Sequence, residues 1–202
     1  MIFLLASQNP YKKVEFARIL EPLGITIQTG PEAGIDLPDV DETGTTFEEN
    51  ALLKAEAGCR ISGLPTLSDD SGLCVDALGG APGIYSARFS GEGGEHGDDA
   101  ANNRKLLDVM KDVPEDQRTA RYVAAIAAVF PDGRKFVVRG TCEGRIGYEE
   151  RGEGGFGYDP LFLYGTEGDK TYAEVPAAVK DESSHRSVAL HKMAALLKEE
   201  LY

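Results

Sequence analysis

Residues Tyr122 to Phe130 read YVAAIAAVF, a run without a single charge, and Pro131-Asp132-Gly133 and Lys135 to Val138 follow at once. Two such segments around a Pro-Asp-Gly turn read as a long β-hairpin. The apolar run is far shorter than the ~20 residues that cross a bilayer, so a protein core has to cover it. With 202 residues and 42% hydrophobic content, the chain can supply one substantial core. A single domain over residues 1–202 is therefore expected.

Elsewhere strands and helices alternate. Ile2 to Ala6 reads as a short buried strand, broken by Ser7-Gln8-Asn9-Pro10. Phe16, Ile19, Leu20 and Leu23 then recur at helical spacing, with Gly24 placed as a C-cap. Thr26 to Gln28 reads as a second strand, and Pro31 to Gly44 as an acidic loop. Thr45-Thr46-Phe47-Glu48 has capping-box form and opens a helix through Ala57. Thr66 to Ser68 reads as a brief strand ending at Asp69-Asp70-Ser71-Gly72, and the Gly/Pro-rich stretch from Leu78 to Gly94 as loop. Asp98 can cap a helix reaching Met110. A last helix starts near Ser184 and packs through Leu190, Met193, Ala194 and Leu197. Mixed strands and helices with one long hairpin predict an α/β or α+β class with a cleft between lobes.

Charge narrows the partners. The net charge is -13 and the pI about 4.7, so the chain lacks the basic face that DNA, RNA or an anionic membrane would require. A small anion remains compatible, because a few cations and a metal reverse the potential within one site. Cys59, Cys74 and Cys142 are odd in number and form no CxxC, which argues against a disulfide framework or a zinc site and for a reducing cytoplasm. MIFLLASQNP lacks a basic leader and does not read as a signal peptide. The expectation is a soluble cytoplasmic protein.

Several constellations could carry chemistry. In SQNPYKK, Ser7 to Lys13, a polar loop feeds a helix N-terminus; free N–H groups, the helix dipole, Ser7, Asn9 and Lys12 all suit phosphate. It is not a P-loop, since GxxxxGK[ST] occurs nowhere in the chain. Asp69-Asp70-Ser71-Gly72 offers adjacent carboxylates of the kind Mg²⁺ takes, although an Asp-rich turn would look the same. Asp36, Asp39, Asp41, Glu42, Glu48 and Glu49 are candidate second ligands among which spacing does not choose. Gly154-Gly155-Phe156-Gly157-Tyr158-Asp159-Pro160 could present a ring and a carboxylate to a flat base, or plug a core. Lys180 and Ser184-His185-Arg186 place cations at a helix start, against the dipole preference.

Taken in order, SQNPYKKVEF, ETGTTFEENALLKA, SDDSGLCVDALGGAPGIYSARFSGE, GFGYDPLF and SHRSVAL resemble the inosine triphosphate pyrophosphatase family across essentially the whole chain. The resemblance implies an elongated, two-lobed α/β fold, a mixed sheet with flanking helices and a central substrate cleft, usually as a homodimer. It implies Mg²⁺-dependent hydrolysis of ITP, dITP, XTP and dXTP to monophosphate and pyrophosphate, a sanitation of the nucleotide pool. By that resemblance Ser7, Gln8, Asn9, Pro10, Tyr11 and Lys12 hold the triphosphate. Asp70 is the catalytic acceptor and a metal ligand, and Glu42 the second metal-site acid, with Asp39 and Asp41 as rivals. Ser71 contacts substrate, while Phe156, Gly157, Tyr158, Asp159, Lys180, His185 and Arg186 recognise the base. The segment Gly91 to Asn102, with His96, is long and irregular for the family. Two other readings stay open: a pyrophosphatase for modified pyrimidine nucleotides, and a nucleotide-binding module without catalysis.

Overall fold

The computed structural model describes residues 1–7, 9–92, 97–165 and 170–201, with the side chains of Pro10, Tyr11, Ala177, Ala178 and Asp181 outside the described set. Gln8 and His96 lie outside the described residues. Strands β1 (Ile2–Leu5), β2 (Thr26–Thr29), β3 (Thr66–Val75), β4 (Thr119–Val129), β5 (Lys135–Ile146) and β6 (Phe162–Tyr164) form one sheet in the order β2-β1-β3-β4-β5-β6. β1 runs parallel to both β2 and β3, whereas β5 and β6 are antiparallel, so the sheet is mixed. The helices are α1 (Pro10–Leu20), α2 (Gly30–Ala33), α3 (Phe47–Ser62), α4 (Asp99–Met110), α5 (Ala177–Ser183) and α6 (His185–Leu201). The fold is α/β, as expected. Among the described residues no helix is long and apolar enough to cross a membrane.

Contacts divide the chain into two compact units that alternate along the sequence. Unit 1 comprises Met1–Ser71, Ala124–Gly140 and Arg186–Tyr202. Its core gathers Phe3 and Leu5 of β1, Phe16 and Leu20 of α1, Leu67, Ile126, and Leu190 and Met193 of α6. Unit 2 comprises Gly72–Val123 and Thr141–His185, with a core of Leu73, Leu106, Met110, Tyr122, Leu161, Phe162 and Tyr172.

Local chemistry sets most element ends. Asp98 caps α4 by accepting the Ala101 N–H at 2.9 Å, as its position in the sequence predicts. The capping box of α3 forms one residue later than the sequence pattern implies. Thr46 is the N-cap and accepts from the Glu49 N–H at 3.1 Å, while Glu49 reaches back to the Thr45 N–H at 2.6 Å. Tandem threonines and tandem glutamates make both registers chemically equivalent; the choice falls to burial, which puts Phe47 5% exposed and facing the core.

β3 requires a larger correction. It does not stop at Ser68 but continues through Asp69, Asp70, Ser71 and Gly72 to Val75. The aspartates are mid-strand residues, and a strand tolerates them there because each carboxylate has cationic partners. The hairpin is also longer than the apolar run, and α2, α5 and β6 carry too few residues to leave a periodic trace.

Unit 2 contains a buried cation held without an acid. Arg118 is 1% exposed; its Nε donates to the Ile146 carbonyl at 2.8 Å, Nη1 to Met110 at 2.6 Å and Nη2 to Gly147 at 2.7 Å. The guanidinium thereby ties the end of α4 to the end of β5. Arg118→Met retains an apolar stem but removes the guanidinium donors from the Ile146 and Gly147 carbonyls and leaves Met110 with the Val113 N–H, and should cost about 3–5 kcal/mol. A urea titration monitored by circular dichroism reads this as a lowered midpoint; an unchanged midpoint would remove Arg118 from the account.

Candidate active site

Unit 1 brings the first phosphate-binding candidates and the paired aspartates together. After β1, the Ser7 hydroxyl accepts the Asn9 N–H at 3.2 Å, shaping the bend that opens α1. Pro10 and Tyr11 form the first helical positions, and Lys12 follows. The Lys12 ammonium lies 2.8 Å from Asp69 Oδ1. From α6, Arg186 approaches the same carboxylate with Nε 3.1 Å from Oδ2. Its Nη1 donates to Glu15 at 2.9 Å and its Nη2 to the Ser71 hydroxyl at 3.2 Å. Burial alone would raise the pKa of Asp69, but Lys12, Arg186 and Lys54 hold it well below the ordinary carboxylate range.

Asp70 has different surroundings. Successive side chains on a strand face opposite ways, and Asp70 meets α3 rather than α1 and α6. Lys54 of α3 donates to Asp70 Oδ1 at 3.0 Å and to Glu42 at 2.8 Å. Asn50, one turn earlier, donates to Asp70 Oδ2 at 3.4 Å. Burial raises the pKa of Asp70; Lys54 opposes the rise, while Glu42 and Asp69 add to it. The two neighbours on β3 are thus driven in opposite directions, which is the pattern that separates structural from chemically active carboxylates.

Glu42, rather than Asp39 or Asp41, shares the Lys54 ammonium with Asp70. Among the described residues no three or more His, Cys, Asp or Glu side chains gather into a metal-ligating group. Two carboxylates are nonetheless enough for Mg²⁺, which usually takes one or two together with waters and substrate phosphates. Asp70 and Glu42 fit that donor set, and the lysine cation between them marks where positive charge is wanted. Lys54 and Asn50 escaped the sequence reading. Their signal was i,i+4 spacing on the helix that follows Glu42.

Unit 2 holds the other candidates. Phe156 is 58% exposed, whereas Asp159 is 3% exposed and fully engaged. Asp159 accepts from the Tyr122 hydroxyl at 3.1 Å and from the Phe156 N–H at 3.1 Å, and pairs with Lys180. The Lys180 ammonium lies 5.4 Å from the Phe156 ring centre and 5.1 Å from that of Tyr172. The Tyr158 hydroxyl donates to the Ser86 carbonyl at 2.7 Å. His185 stacks on Tyr122, ring centres 4.9 Å apart. The loop therefore presents the ring and uses the carboxylate internally. Gly155 makes this packing feasible: its φ is +75°, and a Cβ there would lie 2.0 Å from Asp159 Oδ2.

Comparison with known proteins identifies the family of the chain. Residues 3–196 match the Ham1 family. A dITP/XTP pyrophosphatase from Nocardia farcinica is 51% identical, covering 96% of this chain and 93% of that protein. One from Bacillus subtilis is 45% identical, covering 96% of each. The solved structure of a HAM1 protein from Coxiella burnetii superposes with a TM-score of 0.89 at 36% identity, covering 98% of this chain and 99% of that one. The chain belongs to the Ham1 family.

The Asp69 cluster makes a pH-dependent contribution to stability. A carboxylate whose folded pKa is depressed stabilises the fold above its unfolded pKa and loses that contribution as pH falls through the folded value. Asp69→Asn should therefore destabilise the protein by about 3–5 kcal/mol at neutral pH, leaving Lys12 and Arg186 without their shared anion. The gap from the wild type should shrink progressively below about pH 4. Denaturant melts of both proteins across pH 7 to 3 check it; a gap independent of pH would contradict it.

Proposed function

We propose that this chain hydrolyses non-canonical purine nucleoside triphosphates, ITP, XTP and their deoxy forms, to the monophosphate and pyrophosphate. Relatives at 45–51% identity over nearly the whole chain carry the name dITP/XTP pyrophosphatase, which supports the reading. The observation that carries it is the charge balance on β3. Asp69 and Glu15 meet two cations, Lys12 and Arg186. Among the described residues Asp70 and Glu42 share one cation, Lys54, which leaves net negative charge where a divalent cation would be needed.

The reaction is displacement at phosphorus. Water oxygen bonds to the α-phosphorus, the bond from that phosphorus to the bridging oxygen breaks, and pyrophosphate leaves. Such chemistry asks a protein chiefly for positioning and charge neutralisation. Asp70 and Glu42 would hold Mg²⁺, which supplies the positive charge that offsets the phosphate oxygens. Lys12 and the N–H groups at the start of α1 face the rest of the triphosphate. Asp70 would accept a hydrogen bond from the attacking water and, being within its reach, take its proton. Lys54, which now lies against both carboxylates, would be free to meet a phosphate oxygen if Asp70 and Glu42 held the metal.

Base selection falls to unit 2. Phe156 stacks on the purine, and Lys180, a donor beside that ring, meets O6. Hypoxanthine and xanthine offer an acceptor at this position, whereas adenine offers a donor. Donor would then face donor, and a site that leaves a polar group of the wrong base unpaired in that way can discriminate by ~10⁴. Arg186, assigned to the base by resemblance, already donates through Nε, Nη1 and Nη2 to Asp69, Glu15 and Ser71. Its part in this proposal is to hold Asp69. Cys59, Cys74 and Cys142 form no disulfide, which supports a reducing compartment such as the cytoplasm. The homodimer implied by the resemblance belongs to the same proposal, and light scattering behind size exclusion reads it directly.

Pyrophosphate release from ITP, XTP, GTP, ATP and 5-methyl-UTP, with and without Mg²⁺, tests the whole reading. ITP and XTP should be cut in the presence of the metal, with the pyrimidine and ATP spared. Asp70→Asn should lower kcat for ITP by ~10²-fold or more while the protein stays folded. Near-normal turnover in that variant would exclude Asp70 from the chemistry.

A further inference from the structure

α4 begins with Asp99 and carries Asn103 one turn later, so the two side chains share a helix face. Both reach the same residue of the loop that displays Phe156. Asp99 Oδ2 accepts the Gly157 N–H at 2.8 Å, and Asn103 Nδ2 donates to the Gly157 carbonyl at 3.0 Å. The donor and the acceptor of a single residue are thus both gripped. Asn103 is 3% exposed, and its Oδ1 is buried with no hydrogen-bond partner among the described residues. That orientation of the amide is imposed by the Gly157 carbonyl, which would repel Oδ1. The next residue of the helix start, Asn102, grips a second segment in the same way, accepting from the Ser90 N–H at 2.7 Å and donating to the Ala87 carbonyl at 2.9 Å.

Gly157 needs holding. Its φ is +61°, in the left-handed region, yet nothing lies within 4 Å of where a Cβ would stand. Glycine permits that conformation, and the two hydrogen bonds from α4 hold it together with the turn in which the Asp159 N–H donates to the Phe156 carbonyl at 3.2 Å. On one side of Gly157 is the exposed ring of Phe156; on the other are Tyr158, anchored to Ser86, and Asp159, which pairs with Lys180.

We propose that Asp99 and Asn103 are positioning residues for base selection, a clamp that fixes Phe156 and Lys180 by holding both polar groups of Gly157. The proposal rests on the reading of the Phe156 loop as the purine-recognising element. Discrimination between bases needs donors and rings that do not adapt to the wrong partner. A loop released from the clamp would accommodate adenine as well as hypoxanthine. Losing the clamp should therefore erode selectivity more than turnover.

The test compares kcat and KM for ITP and ATP in the wild type, Asp99→Ala, Asn103→Ala and Asp99→Asn, the last of which keeps an acceptor for the Gly157 N–H. Both alanine variants should lower the ITP-to-ATP ratio of kcat/KM about tenfold, chiefly through a higher KM for ITP. Asp99→Asn should stay within about twofold of the wild type, because the hydrogen bond survives the loss of charge. Asp99 is exposed at a helix start, so Asp99→Ala carries the test even where Asn103→Ala fails to fold. Equal losses on ITP and ATP, or an Asp99→Asn as impaired as Asp99→Ala, would overturn the clamp. A wild type with no preference for ITP would instead overturn the base-recognition reading beneath it.

Discussion

Asp69 is a carboxylate removed from water, and the arrangement of unit 1 follows from keeping it charged. An isolated ion at that depth would protonate or unfold its surroundings. Here Lys12 from α1 and Arg186 from α6 converge on it, and Arg186 in turn holds Glu15 and Ser71. Two helices are thereby fixed to β3 by charge as well as by the apolar packing of Phe16, Leu20, Leu190 and Met193. The strand's alternation then does the rest. With Asp69 committed to one face, Asp70 must face the other, where α3 supplies only one ammonium for two acids. One dipeptide divides into a carboxylate that meets two cations and one that shares a single ammonium with Glu42.

Unit 2 separates the same two tasks by a different route. Asp159 is used up internally by Tyr122, Lys180 and the Phe156 N–H, and what it leaves outward is an aromatic face with a cation beside it. A carboxylate that organises a loop is worth more there than one offered to a ligand, since each of its partners is itself brought into position. Arg118 shows the complementary case, a buried cation held by backbone carbonyls and the face of Tyr148. In both units the polar groups that matter most for shape are the ones least visible to solvent.

How much of this the sequence makes legible depends on the range of the interaction. Caps are local, so Asp98 and the start of α4, or Gly24 with its φ of 73°, follow from a few neighbouring residues. β3 fails the same treatment. Two adjacent aspartates read as a turn because local propensity is blind to Lys12, Lys54 and Arg186, which lie far away in the chain and cancel the cost of extending the strand. The Arg186 guanidinium, readable as an anomalous cation at a helix start, could not be assigned a partner for the same reason. Family resemblance points to Asp70, Glu42 and the Phe156 loop, but not to Lys54, Asn50, Asp99 or Asn103, which stand out only through their contacts.

Asn50 explains why Glu42, among several acids in its loop, is the one that meets Asp70. Its Oδ1 accepts the Gly44 N–H at 2.9 Å while its Nδ2 reaches Asp70 Oδ2 at 3.4 Å. One buried amide therefore ties the loop just after Glu42 to the strand that carries the aspartate. A Cβ at Gly44 would lie 2.6 Å from that Oδ1, so glycine is what lets the backbone come this close. Thr45 is held in turn by Glu49, which fixes the chain leaving the loop to the first turn of α3. Asp39 and Asp41 lie farther from this tether along the chain. The approach of the two acids thus rests on an uncharged side chain as well as on the Lys54 ammonium that touches both, and the amide adds its tether without altering the excess of negative charge that the proposed chemistry requires.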